Sequence, residues 1–308
     1  MMITPDVVGI DVSKHHLDIF DGSTGKAERL PNLADEVGGL AMRLCGRLVV
    51  FEATGAYDET LRRALAAAGV AFARINPTQA RSFAKAAGFL AKTDQVDARM
   101  LAALGSALRP RPAEAADEPR ERLTGLHKRR DQLVTSRKQE RTRRRETTDP
   151  DLLAGLDRHL AFLDEEIAAI EAKIASLIAA EPGLQRTYRL LVSIPGVGAV
   201  TGACLLARMP ELGQRSPKAI AALAGLAPIN QDSGLRRGQR SIRGGRKRVR
   251  DALYMAAVAA ARSNSPLKAS YRNLRANGKP AKLAFIAIAR KILTVANAII
   301  RDQQPFAA

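Results

Sequence analysis

Val7-Val8-Gly9-Ile10-Asp11-Val12 is an apolar, β-branched run with one carboxylate inside it, and its reading as a strand decides the first third of the chain. Leu17-Asp18-Ile19-Phe20 follows with period-two alternation, so residues 7–20 predict a β-hairpin turning near residues 13–16. Leu48-Val49-Val50-Phe51 is a second apolar run, ending in Glu52-Ala53-Thr54-Gly55. Residues 70–75 form a third strand candidate behind a helix over about residues 59–68. Strand, helix, strand is the pattern of an α/β domain. Pro77 opens a further helix, and Thr93-Asp94 reads as the start of another that continues through Asp97, Arg99 and Leu101. The domain ends near Arg109-Pro110-Arg111-Pro112.

Residues 117–181 are strongly helical. Leu160, Leu163, Ile167, Ile170, Ile174 and Leu177 recur at spacings of three and four with charged residues between them. This predicts an antiparallel hairpin or coiled coil, broken at Thr147-Thr148-Asp149-Pro150. From Gln185 onward the chain is mostly helical, with Pro195-Gly196-Val197-Gly198 early, a helix over about residues 247–262 and a last amphipathic helix over about residues 282–301. The reading divides the chain into residues 1–112, 113–182 and 183–308, without internal repeats.

The 308 residues carry 49 Lys and Arg against 31 Asp and Glu, a net charge of +18, which points to a polyanionic partner, nucleic acid first. The excess is focused. Residues 120–145 hold eleven basic and three acidic residues, residues 236–250 hold eight basic and no acidic ones, and together they account for +16. Arg129, Arg130, Arg137 and Lys138 in the first stretch, and Arg236, Arg237, Arg243 and Lys247 in the second, are the candidate phosphate contacts. The plainer alternative is a solvated face. No uninterrupted apolar run approaches the roughly 20 residues of a membrane span, and the N-terminus lacks a secretory signal, so a cytoplasmic protein acting on the nucleoid is expected. Cys45 and Cys204 lie far apart without ligand spacing and read as reduced core thiols. His15, His16, His127 and His159 show no ligand spacing, and His15 and His16 read as surface turn residues. Gly196, Gly198 and Gly202 miss the dinucleotide fingerprint, and there is no P-loop. With 4% aromatics and no Trp, base stacking is weakly supported, Tyr57 being a local exception.

Four acids are the informative constellation in so basic a chain. Asp11 lies inside the first strand, Glu52 ends the second, and Asp94 and Asp97 stand three apart on one helical face. Converging carboxylates repel unless a cation neutralises them, which implies Mg²⁺ or Mn²⁺. Two such ions about 3.5–4 Å apart serve phosphodiester chemistry by activating the attacking oxygen and stabilising the leaving one. The plainer readings are a solvent-facing strand end for Asp11 and a helix N-terminal charge for Asp94.

Gly9-Ile10-Asp11-Val12-Ser13-Lys14, Glu52-Ala53-Thr54-Gly55-Ala56-Tyr57 and Lys92-Thr93-Asp94-Gln95-Val96-Asp97-Ala98-Arg99 resemble the RuvC-like DEDD domain of a class of bacterial insertion-sequence transposases, the bridge-RNA-guided recombinases. Ile194-Pro195-Gly196-Val197-Gly198, Leu223-Ala224-Gly225-Leu226-Ala227-Pro228 and Arg250-Asp251-Ala252-Leu253-Tyr254-Met255 resemble that family's C-terminal transposase domain, so the likeness covers nearly the whole chain. The resemblance implies an α/β RNase H/RuvC-like N-terminal domain; the residues themselves add the basic helical coiled-coil hairpin and a mostly α C-terminal domain, in which Pro195-Gly196-Val197-Gly198 before an apolar helix resembles a helix-hairpin-helix-like element. The resemblance implies that Asp11, Glu52, Asp94 and Asp97 form the metal-binding tetrad. It also implies that a serine shortly after the Ala-Gly-Leu-x-Pro segment, here Ser233 in Asp232-Ser233-Gly234, attacks the DNA backbone and forms a phosphoserine link.

On chemistry alone Ser233 and Ser241 are equal candidates, because both sit among arginines that suit an oxyanion. The resemblance favours Ser233, although Asp232 beside it departs from what a phosphate prefers. Donor and target DNA, a structured guide RNA and partner subunits, as a dimer or tetramer, are the partners it implies. The stripe from Leu160 to Leu177 offers a surface for assembly unless it closes on its own hairpin. Two other readings stay open: a stand-alone RuvC-type junction nuclease, and an inactive nucleic-acid-binding protein.

Overall fold

The computed structural model describes residues 6–89, 93–113, 118–229 and 240–307. The chain forms two compact units, Met1–Ala115 and Ala116–Ala308.

The first unit is built on a five-stranded sheet. Its elements are β1 (Val7–Val12), β2 (His16–Asp21), β3 (Ala27–Pro31), α1 (Ala34–Arg43), β4 (Leu48–Glu52), α2 (Glu59–Ala67), β5 (Ala71–Ile75), α3 (Pro77–Ala86) and α4 (Asp94–Leu108). The strand order is β3-β2-β1-β4-β5. The first three strands form an antiparallel meander, and β4 and β5 run parallel to β1. A central strand is buried on both faces, which is why β1 reads as continuously apolar. Val8, Ile10, Val12, Val49 and Phe51 pack with Val37, Leu40, Leu61 and Leu65 of α1 and α2. Val7, Val50, Ala73 and Ile75 pack on the other face with Ala80 of α3 and Leu101 and Leu104 of α4. The expected hairpin, strands and helices all form. Residues 27–43, which carried no assignment, hold β3 and α1. The first is an exposed edge without apolar alternation, and the second has Gly38-Gly39 in its middle, so both lack the usual signals.

The second unit holds α5 (Glu118–Glu146), α6 (Pro150–Ala180), α7 (Pro182–Val192), α8 (Ala199–Arg208), α9 (Pro217–Leu223), β6 (Pro228–Ile229), β7 (Ser241–Ile242), α10 (Lys247–Arg262), α11 (Pro266–Ala276) and α12 (Ala281–Asp302). Asp149 caps α6, accepting the Asp151 and Leu152 amides, and Pro150 takes the first helical turn. Arg130–Glu171, Arg137–Asp164 and Arg144–Asp157 pairs link α5 to α6. Each step of seven forward in α5 is met by seven backward in α6, so the two helices run antiparallel. Leu163 and Ile167 pack on Leu133, while Ile174 and Ile178 join the main core of this unit. The stripe is therefore closed within the chain rather than left open for a second copy.

One helix, α12, is long and apolar enough to cross a membrane by length and composition. Its Ala284, Ile288, Ile292, Leu293, Ala296 and Ile299 are buried in the core of the second unit, and Arg290 and Lys291 interrupt it. Among the cysteines, Cys204 is buried and its thiol is pushed up to about 12, mainly by burial. Cys45 corrects the expectation of a core thiol: it is exposed, because it follows the end of α1 beside the Gly46 turn.

Candidate active site

Side chains alternate along a strand, so Asp11 shares the face of Gly9 and Val7, the face α4 covers. Glu52 follows Val50 by two on the neighbouring parallel strand and lies on that same face. The Ile10–Phe51 pairing leaves Asp11 and Glu52 one residue further on, at the C-terminal ends of adjacent parallel strands, where open α/β sheets hold their sites.

The other two acids arrive on α4. Thr93 caps this helix: its Oγ1 accepts the Val96 amide at 3.3 Å, and its carbonyl accepts the Asp97 amide at 2.8 Å. Asp94 and Asp97 occupy the first turn, where the helix dipole favours negative charge. Gly9 is what lets α4 come down on the sheet. A Cβ there would lie 2.0 Å from the Ala98 carbonyl oxygen and 2.4 Å from the Ala102 nitrogen, both backbone atoms that cannot step aside.

The electrostatic result is concentrated on Asp11, whose carboxyl is pushed up to about 6. Burial is the largest cause, followed by the charges of Asp97, Asp94, Asp18 and Glu52. The fold thus surrounds Asp11 with the three other acids singled out by sequence, and adds a fifth. Among the described residues, no three His, Cys, Asp or Glu side chains are gathered closely enough to hold an ion between them.

Asp94 is instead taken by Arg29, whose Nη2 donates to Asp94 Oδ2 at 2.9 Å. The same guanidinium is bidentate to Asp18, with Nε to Oδ1 and Nη2 to Oδ2 both at 2.9 Å. Asp18 is 2% exposed. The register pairs Asp11 with Asp18 and Asp18 with Arg29, so the three stand in a row across β1, β2 and β3. Sequence reasoning missed both Asp18 and Arg29: Asp18 fell on the polar phase of a period-two strand and read as solvent-facing, whereas the structure buries it.

The loop after Glu52 is held by a different kind of acid. Asp58 is fully buried, accepts the Thr54 amide at 3.3 Å, and binds Arg62 Nε at 3.2 Å and Arg74 Nε at 2.6 Å. The Asn32 side-chain amide donates to the Ser13 and Tyr57 carbonyls, tying the β1–β2 turn to this loop. Tyr57 is exposed on it; His15 is exposed in the turn as expected, and His16, also exposed, is the first residue of β2 rather than a turn residue.

The basic candidates divide. Arg130 and Arg137 are engaged by Glu171 and Asp164 of α6 at 2.6 and 2.5 Å, whereas Arg129 and Lys138 are exposed on α5. Arg243 is exposed, and Lys247 pairs with Asp251 at 2.6 Å on the surface of α10. Ser233, Arg236 and Arg237 lie outside the described residues. The strands flanking that segment, β6 and β7, pair with each other, and Ser241 is exposed on β7. In the Pro195–Gly198 turn, Gly196 has φ +86° and no room for a Cβ, which would meet the Ala256 carbonyl oxygen of α10 at 2.3 Å. Gly198, Ala199 and Val200, at the start of α8, are exposed.

The model of the transposase IS116/IS110/IS902 family matches residues 188–272, and a transposase model of the DEDD type matches residues 8–149. The pilin gene-inverting proteins of Moraxella lacunata and Moraxella bovis are each 32% identical over 262 residues, covering 84% of this chain and 81% of theirs. The IS110 insertion-element 43.6 kDa protein of Streptomyces coelicolor is 32% identical over 154 residues, 49% of this chain and 37% of that protein. With the two family models matching residues 8–149 and 188–272 and a relative covered over most of its length, the chain belongs to the IS116/IS110/IS902 transposase family and is a DNA transposase/recombinase.

Proposed function

We propose that this transposase cleaves and rejoins DNA through a serine–DNA covalent intermediate, with divalent-metal assistance at the Asp11 face of the sheet and a structured RNA selecting the sites. The observation that carries the metal half is the gathering of acids at Asp11: its carboxyl is raised to about 6, first by burial and then by Asp97, Asp94, Asp18 and Glu52, and Arg29 is one guanidinium shared by two of those acids. The donor set is all carboxylate oxygen, which suits a hard ion such as Mg²⁺ or Mn²⁺. Asp11, Glu52, Asp94 and Asp97 are the residues that would hold it, and a bound ion supplies Lewis-acid charge at phosphoryl oxygens.

Ser233 is the nucleophile in this reading. Its Oγ attacks a backbone phosphorus, a phosphoserine ester forms, and the displaced deoxyribose oxygen takes up a proton; a strand hydroxyl reverses the step on rejoining. Arg236 and Arg237 would neutralise the attacked phosphate, while the exposed Arg129, Lys138 and Arg243, with Lys247, hold nucleic-acid backbone. Functionally the chain then divides into the acidic catalytic segment 1–112, the basic helix pair 113–182 and the serine-bearing segment 183–308. The Pro195–Gly198 turn would act as a phosphate-contacting hairpin, and the working form would be a homodimer or homotetramer. The Moraxella relatives, named for gene inversion, support strand exchange over simple cleavage.

The test is the purified protein with its flanking DNA and any co-purifying RNA. We expect a protein–DNA adduct that disappears in Ser233→Ala, loss of strand transfer by about 10³-fold or more in Asp11→Ala, and one discrete RNA encoded by the flank. Cleavage that survives Ser233→Ala would convert the reading to a metal-dependent junction nuclease. Unaltered binding with no turnover in any form would leave a nucleic-acid-binding protein.

A further inference from the structure

We propose that Arg29, pinned by buried Asp18, is a built-in counter-cation of the acidic site that competes with a divalent ion for Asp94. This inference rests on the reading of Asp94 as a metal ligand. Its basis is geometric. Arg29 comes from β3, an exposed edge strand, yet its guanidinium is fixed by two parallel 2.9 Å bonds to a carboxylate that is 2% exposed. Such a bidentate pair sets the plane and position of the fork. The Nη2 that completes the pair also reaches Asp94 Oδ2 at 2.9 Å, so one nitrogen bridges the buried acid and the acid at the start of α4.

Asp18 has no role in a four-acid site, and burying a fifth carboxylate beside Asp11 costs stability unless a cation accompanies it. Arg29 is that cation. The two arms of the bridge differ in environment: the side chain of Asp18 is 3% exposed and that of Asp94 60%. Arg29 is 51% exposed in both, so the acids make the difference: a single bond to an exposed carboxylate is weak and exchangeable, a bidentate pair to a buried one is held. An arriving ion therefore takes Asp94 from Arg29 while Arg29 stays on Asp18. The observation that no three acids share a point among the described residues agrees with Asp94 being turned to the arginine. The arrangement keeps the unloaded site from flying apart by self-repulsion and sets a threshold on loading.

The experiment measures Mn²⁺ binding by calorimetry and thermal unfolding with and without chelator, for wild type, Arg29→Gln, Arg29→Lys and Asp94→Asn in the full chain. Removing the competitor in Arg29→Gln should tighten Mn²⁺ binding by about fivefold, the scale of one half-exposed ion pair, while lowering the unfolding midpoint in chelator. An arginine that served only to hold the site together would weaken ion binding and stability alike, so opposite signs are the signature. Arg29→Lys keeps a charge at Asp18 but gives up the planar fork that reaches both acids. It shifts affinity the same way by less, and covers the case in which Arg29→Gln fails to fold. Unchanged or weaker binding in the Arg29 variants, with wild type binding and Asp94→Asn impaired, overturns the competition and leaves the metal site standing. Absence of Mn²⁺ binding in wild type and all variants overturns the metal site, and the competition with it.

Discussion

The acidic end of the first unit's sheet and the arginine-rich face of α5 in the second unit carry opposite charges, but they differ more in how those charges are satisfied. On α5, Arg130, Arg137 and Arg144 each find a carboxylate of α6, spaced so that the partners recur every seven residues. Beside Asp11, burial first and the neighbouring acids second drive the carboxyl up to about 6. A fold gains by pairing opposite charges and loses by crowding like ones. The crowded acids are thus the feature that stability does not explain, whereas part of the basic stretch is explained by the helix pair alone.

Removing charges of each kind tests that contrast. The largest stability loss is expected at Asp58, a fully buried acid that pairs with two arginines: Asp58→Ala removes the carboxylate that Arg62 and Arg74 share and should cost about 3–5 kcal/mol by denaturant unfolding. A loss under 1 kcal/mol would show that burial and pairing do not distinguish it from Asp11, which is half-buried without a paired cation among the described residues. Gly9→Ala comes next, about 3 kcal/mol, because its new methyl meets the backbone of α4. The same variant should weaken divalent-ion binding, since α4 carries Asp94 and Asp97; intact stability would mean that α4 is not seated by this contact.

Asp11 should behave oppositely to Asp58. With its folded pKa raised to about 6 from the ordinary 3.8, the fold favours the neutral carboxyl. This contribution is complete below about pH 4 and is lost as pH rises through about 6. Asp11→Asn, neutral throughout, should be more stable than wild type above pH 6 in chelator by about 1–3 kcal/mol, with little difference at pH 4. A variant less stable at pH 7 would refute the penalty that burial and the neighbouring acids place on the charged form. The smallest effect separates the arginines: Lys138→Ala should lower nucleic-acid affinity severalfold and reduce its salt slope by about one. Arg137→Ala should mainly cost up to about 1 kcal/mol of stability. Equal affinity losses from the two would erase the distinction between exposed and paired positions.

How far each feature was legible depends on whether its cause is local. The hairpin at residues 7–20, the strand ending at Glu52 and the α4 start at Thr93-Asp94 follow from alternation and capping chemistry within a few residues, and all three formed. The edge strand β3 did not show, because an exposed strand has no apolar period to display. Arg29 was invisible for the same reason: its meaning comes from Asp18 opposite it and from Asp94, 65 positions along the chain. Cys45 was misread because a free cysteine is usually buried, and only the helix end at Leu44 decides that this one faces water.

By itself, then, the sequence determined the alternation of strands and helices, the family, and the four acids that stand out in a basic chain, since periodicity and residue chemistry are written locally. Only the tertiary structure decided which charges are spent and which are left over. Gly9 brings α4 onto the sheet, and β-strand register sets Asp18 between Asp11 and Arg29. The antiparallel run of α5 and α6 consumes Arg130 and Arg137. Charge satisfaction is a property of pairs distant in sequence, and pair distances exist only once the chain has folded.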